Sequence, residues 1–250
     1  MGSVKADPFV QLRLLELQAL DSVLDRLAHR RRTLPEIAEI ERLEKAVDAL
    51  RDDTVRASTE VSDLARESKK FEDEIEQVRA RRGRDEERLA SGAITVSKQL
   101  EELQHEVATL TRRQSDLEDS ELEVMERAEA AQAVLDRLTG ERDALLADRD
   151  AAGIARDKAF GEIDDDVTRT TRERAALAQT FPEDLLKLYE KLRADNGGVG
   201  AAPIARGACG GCRLDLMQNE KADVRSAAGD DVLRHEECGR IMVRTAESGI

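Results

Sequence analysis

Apolar side chains recur along most of this chain at alternating steps of three and four. The clearest run reads Leu103, Val107, Leu110, Gln114, Leu117, Glu121, Val124, Ala128, Ala131, Leu135 and Leu138. This is a heptad seam, interrupted by polar residues only at Gln114 and Glu121, where it predicts a register-setting role rather than a binding one. A second run reads Leu43, Val47, Leu50, Thr54, Ala57, Val61, Leu64, Ser68, Phe71, Ile75 and Val78. An earlier one passes through Val10, Leu17, Leu20, Leu24, Leu27 and Leu34. Each stripe is too narrow to be buried by its own helix and therefore needs a partner helix.

The interruptions predict how these helices meet. Pro35 cannot continue a regular helix without losing a hydrogen bond, so a kink falls near it. Between the second run and the Leu103 run, residues 90–96 hold Gly92, with cap candidates at Thr95 and Ser97. Short connections make neighbouring helices antiparallel. The expectation is a helical hairpin over 8–180 with its tip near 90–96. Symmetric pairing about that tip places Leu43 opposite about residue 140, where Thr139-Gly140 also breaks the pattern. The N-terminal run then packs beside residues 145–172, or forms a three-helix base. Pro182, followed by Glu183 and Asp184, starts a connecting helix over 181–196, and Asp195-Asn-Gly-Gly198 ends it.

Beyond residue 197 the pattern changes to glycine, short β-type runs and cysteine. Cys209, Cys212 and Cys238 are the chain's three cysteines. An odd number leaves one thiol over in any disulfide framework, and clustered cysteines in a reducing compartment point to a metal. Cys209-x2-Cys212 and His235-x2-Cys238 have the spacing of two zinc knuckles, so a Cys3His zinc site is predicted. Position 235 leaves two alternatives open, a metal-free site or an oxygen ligand from Glu236 or Glu237. Gly210 and Gly211 inside the first turn, and Gly239 after the second, are read as backbone relief. Val199–Arg206, Arg213–Leu216, Asp231–Arg234 and Ile241–Arg244 read as strands, and 219–228 as a helix. A unit of this size without aromatic residues cannot hold itself together by burial alone, so one structural Zn2+ is expected to supply folding energy.

Composition narrows the class. Charged residues make up 38% and aromatics 2%, which suits a thin helical seam and not a thick globular core. The fold class expected is mainly α: a long antiparallel coiled-coil hairpin with a small C-terminal zinc ribbon of short β-hairpins. Net charge is −14, which repels nucleic acid at long range. Arg81 and Arg82 near the tip, and Arg240 and Arg244 in the ribbon, are candidate contacts for a partner or a nucleic acid. Residues 195–250 nevertheless carry nine acids against seven bases, which is no nucleic-acid footprint. His29 and His105 read as helix-surface residues. No apolar run approaches a membrane span and no signal peptide is evident, so a cytoplasmic protein is expected.

Several segments together resemble a known bacterial family. They are 91–107 (SGAITVSKQLEELQHEV), 117–126 (LEDSELEVME), Cys209-Gly-Gly-Cys-Arg-Leu214 and Glu237-Cys-Gly-Arg-Ile-Met-Val-Arg244. The family is that of coiled-coil hairpin proteins with a C-terminal C4-type zinc ribbon, and the resemblance extends over essentially the whole chain. It implies no enzymatic activity. It implies adaptor or scaffold roles, linked in some members to flagellar or type III secretion assembly, to a sigma factor, or to RNA. Cys209, Cys212 and Cys238 match its metal ligands, and His235 departs from the four-cysteine pattern. The reading is a non-enzymatic adaptor, monomeric or dimeric, that binds protein partners; the alternative is a nucleic-acid- or transcription-associated regulator acting through the ribbon.

Overall fold

The computed structural model describes residues 4–249. Among these residues five helices and four short strands follow in order: α1 (Pro8–Arg32), α2 (Pro35–Ala90), α3 (Ser97–Ala178), α4 (Glu183–Asp195), β1 (Ala201–Ala205), β2 (Ala208–Cys209), α5 (Gln218–Ser226), β3 (Leu233–Arg234) and β4 (Ile241–Val243). No helix among the described residues is long and apolar enough to cross a membrane. The chain divides into two compact units, residues 38–153 and residues 1–37 with 154–250.

The first of these is the hairpin. α2 and α3 run antiparallel and are joined through a turn in which Gly92 takes a positive φ of 65°. The seam is thin: Leu64, Val124 and Ala131 form a buried cluster flanked by Val61, Phe71 and Ala128. Ion pairs lace its edges, Arg113 to Glu74 and Arg79 to Glu118 at 3.2 Å each. Gln114 is buried in the seam and donates to Glu118 at 2.7 Å. Because Glu118 also accepts from Arg79 on the opposite helix, this polar seam position links the two helices in one register.

Farther from the tip the pairing shifts from the symmetric one. Arg42 lies close enough to Asp148 to feel its charge, and Ala46, Ala49 and Leu50 line one groove with Ala144, Leu145 and Asp148. Leu43 therefore pairs about two turns beyond residue 140. Thr139-Gly140 does not break the helix either, since α3 is continuous through Gly140. Tertiary pairing overrides the modest helical penalty of one glycine, about 1 kcal/mol.

The second unit is built from α1, the end of α3, α4 and the strands. Asp7 caps α1, accepting from the Phe9 amide at 2.8 Å, and Pro8 occupies the first turn where no donor is needed. α1 ends before Thr33, whose amide bonds back to His29, and α2 begins at Pro35. Leu27 and Leu34 pack on Ile163 with Ala159, Phe160 and Val167. The main core joins Leu14 and Leu17 of α1 to Leu185, Tyr189 and Leu192 of α4 and to Ala201, Ile241 and Val243 of the sheet. Residues 4–6 are stitched on as well, Ala6 donating to Asp230 at 2.8 Å. The strands and the helical base thus share one hydrophobic core.

The sheet order is β2-β1-β4-β3, with β1 parallel to β4 and the two outer pairs antiparallel. The arm Arg213–Leu216, expected as a strand, contributes only an isolated bridge from Asp215 to Ala208. The strand beside the first knuckle is β2, which precedes and enters it. Parallel pairing of β1 with β4 is long-range, and no local pattern encodes it.

Candidate metal centre

The two knuckles are built alike. In the first, the Arg213 amide bonds to the Cys209 carbonyl at 2.8 Å and the Cys209 amide to the Leu214 carbonyl at 2.9 Å. In the second, Gly239 bonds to His235 at 2.8 Å and His235 to Arg240 at 3.0 Å. Each loop turns through the two residues between its ligands, so both ligand side chains emerge on one side. The residue that ends each turn has a positive φ, 67° at Arg213 and 69° at Gly239. Gly210 and Gly211 serve space and not backbone conformation. A Cβ would stand 2.8 Å from the Pro203 carbonyl oxygen at Gly210 and 2.6 Å from Arg240 Cδ at Gly211.

These turns converge four donors. Cys209, Cys212, His235 and Cys238 place one ligand atom each within 4.8 Å of one another. His235 Nδ1 lies 3.2 Å from Cys238 Sγ and 3.4 Å from Cys212 Sγ, and Cys209 Sγ lies 3.9 Å from Cys238 Sγ. Tetrahedral zinc, with Zn–S near 2.3 Å and Zn–N near 2.0 Å, sets its ligand atoms roughly 3.5–3.8 Å apart. The donor set fits one structural zinc by distance and by chemistry. Burial pushes the Cys209 thiol up to about 11. Burial also raises that of Cys238, but the Arg240 amide and the His235 ring outweigh it and bring it to about 6. An ion held here would stabilise all three thiolates and contribute binding energy to the fold.

His235 and Cys209 are both 1% exposed. Glu236 and Glu237, the alternative oxygen ligands, are exposed and stand outside this group of donors. Around the donors pack Ile204, Leu216, Val224, Met242 and Leu233. Sequence reasoning missed Glu220, which is 4% exposed at the start of α5. Its carboxylate accepts from the amides of Met217 and Glu236, both at 2.9 Å. Burial raises its pKa, but these two amide donors outweigh that and hold the carboxyl below its ordinary value. The available signal was a glutamate at the third position of a helix, which reads as an ordinary capping residue.

The arginines singled out as contacts are engaged within the chain. Arg240 donates to the carbonyls of Val199 and Asn196 at 3.1 and 2.9 Å. Arg244 donates to those of Ala227, Ala228 and Gly229. Arg81 pairs with Glu106 across the hairpin, and Arg82 lies 3.3 Å from Glu86. Arg240 and Arg244 act as braces that tie the ribbon to the loops beside it. His29 and His105 are exposed on their helices.

Comparison with known proteins joins these observations. Residues 17–197 match the CT398-like coiled coil hairpin domain, and residues 208–242 match the C4-type zinc ribbon domain. The chain belongs to the CT398-like coiled-coil hairpin family. It is 41% identical to the uncharacterized protein Rv2229c of Mycobacterium tuberculosis, over 96% of this chain and 98% of the relative. The uncharacterized protein ML1638 of Mycobacterium leprae is 32% identical over 91% of this chain and 97% of that protein. Among solved structures, one from Mycobacterium smegmatis superposes with a TM-score of 0.83 at 37% identity, covering 97% of this chain and all of that one. CT398 from Chlamydia trachomatis superposes at 0.63 and 19% identity, covering 94% and 98% of the two chains, which shows the shared fold. Within a C4-type zinc ribbon match, this family member carries histidine as its fourth donor.

Proposed function

We propose that this CT398-like protein is a non-catalytic adaptor that binds protein partners through its hairpin and its zinc ribbon. The observation that carries the reading is the closed donor set. Four protein side chains complete the coordination of a tetrahedral ion and leave no position for water or substrate, which is the arrangement of a structural and not a catalytic zinc. The ion then serves to shape a surface. Leu214 and Met217, beside the first knuckle, are 53% and 55% exposed on that surface, where apolar side chains are suited to a protein contact.

The test is affinity purification of the full chain from its native kind of cell, with and without nuclease. The adaptor reading expects one or a few proteins retained at near-stoichiometric amounts after nuclease, and lost with Leu214→Glu/Met217→Glu at unchanged zinc content. Retention that vanishes with nuclease, or no specific protein at all, would reject it. Removal of 197–250 is not a clean control, because those residues supply Ala201, Ile241 and Val243 to the core of the helical base.

A further inference from the structure

Histidine in place of a fourth cysteine poses a local problem. A thiolate has one donor atom, whereas an imidazole has two nitrogens and must present the right one. In this chain Nδ1 faces the cysteines, at 3.2 Å from Cys238 Sγ and 3.4 Å from Cys212 Sγ. The other nitrogen, Nε2, is fully buried and has no hydrogen-bond partner among the described residues. A buried N–H left without an acceptor costs about 1–3 kcal/mol, so the opposite side of the ring needs an oxygen.

The nearest charged oxygen there belongs to Glu220. Its Oε1 is 3.8 Å from His235 Nε2, one small side-chain rotation from hydrogen-bond distance. Capping accounts for only one of its oxygens: Oε2 serves the start of α5, whereas Oε1 lies between the Glu236 amide and the His235 ring. Oε2 accepts from Met217 and Oε1 from Glu236, which leaves Oε1, the oxygen nearest the ring, with capacity for a second donor. The Glu236 amide neighbours His235 in sequence, so the same oxygen ties the second knuckle to α5.

We propose that Glu220 is a positioning residue for the metal site, accepting the Nε2–H of His235 and thereby presenting Nδ1 to the ion. Ligand histidines commonly donate their second N–H to a carboxylate, and loss of such a partner weakens metal binding about 10–100-fold. Here the partner comes from the helix between the two knuckles. The inference rests on the donor geometry alone and stands or falls independently of the adaptor reading.

Two measurements on the full chain test it. In the zinc-loaded protein, two-bond 1H–15N correlations of His235 should show a protonated, slowly exchanging Nε2 and a metal-bound Nδ1. Ligation through Nε2, or a rapidly exchanging Nε2 proton, overturns the proposal without any variant. Competition with a metallochromic chelator then compares Glu220→Gln in two backgrounds. The loss of zinc affinity should be about tenfold or more beside His235 and less than about threefold in the His235→Cys background, where no second nitrogen needs a partner. Equal losses in both backgrounds assign Glu220 a merely structural role, and no loss in either removes it from the site.

Discussion

The hairpin unit and the ribbon-bearing unit achieve stability by different means. In residues 38–153 two helices share a repeating aliphatic seam, and every contact resembles the ones a turn before and after. In the other unit no contact repeats. Beside its apolar core lies a buried polar cluster centred on Asp21, which is 1% exposed. Asp21 accepts from the Tyr189 hydroxyl at 2.6 Å and from Arg174 Nε at 2.6 Å, with Arg193 Nε at 3.4 Å. Gln18 extends the cluster, accepting from the Gly200 amide at 2.8 Å and donating to the Gly198 carbonyl at 2.9 Å. A repeating seam distributes its stability over many equivalent residues. A non-repeating base concentrates it in a few.

Removing the ion should expose that contrast most strongly. Structural zinc sites carry roughly 10 kcal/mol or more of binding energy, and the sheet here offers few apolar residues to replace it. Chelation, or Cys238→Ser, should abolish amide-exchange protection across the two knuckles and α5, while β1 and β4, packed on α1 and α4, keep part of theirs. The far-ultraviolet helical signal should stay nearly intact, since α2 and α3 contain most of the helical residues. Unchanged protection in the knuckles after complete zinc removal would mean that burial alone holds the ribbon.

Asp21→Ala should come next. It leaves the Tyr189 hydroxyl without its acceptor, while Arg174 and Arg193 keep Glu190 and Asp25, and the cost should be about 3 kcal/mol, the low end for breaking a buried ion pair. Tyr189 is the chain's one tyrosine and there is no tryptophan, so its fluorescence reports this unit during urea unfolding. Leu64→Ala in the hairpin, at a position 2% exposed, should cost about 2 kcal/mol, the low end for a core leucine, because a two-helix seam can close over the gap. If Asp21→Ala is the milder of the two, the concentrated-versus-distributed distinction fails.

The same contrast decides what was legible in the sequence. Along α3 the seam was readable residue by residue: Leu103, Leu117, Val124, Ala131 and Leu138 are all buried. The periodicity suffices because the partner helix repeats with it. In and just beyond α1 the expected stripe holds at Leu17, Leu27 and Leu34, which are buried, but Val10, Leu20 and Leu24 are only half-buried, and Gln11, Leu14, Gln18 and Asp21 also face the interior. Three of those four are polar, so a search for apolar spacing passes over them. What they face is α4, the ribbon's lead-in and the 229–231 loop, far away in sequence. In the metal site the four donors were legible because knuckle spacing is local, and Glu220 was not, because its role depends on how α5 folds back over His235.

The smallest effects separate the two units once more. In the hairpin, Glu74→Gln removes an ion pair to Arg113 whose side chains are more than half exposed, and the expected change is under about 1 kcal/mol. In the ribbon, a single exposed residue should matter in the opposite direction. Arg213 ends the first knuckle at φ 67°, where the second knuckle has Gly239 at φ 69°. A side chain in that left-handed conformation costs about 1–2 kcal/mol, and glycine removes the penalty while giving back part of it through the greater freedom of the unfolded chain. Arg213→Gly should therefore raise the Tm of the zinc-loaded protein by a net gain of about 1 kcal/mol or less, and Gly239→Arg should lower it by a similar or larger amount. The asymmetry is informative because both residues make the same backbone bond, to Cys209 and to His235, at the same 2.8 Å. If Arg213→Gly destabilises instead, the exposed Arg213 side chain has a role in the ribbon that its backbone strain accompanies, and the two knuckles are alike in geometry only.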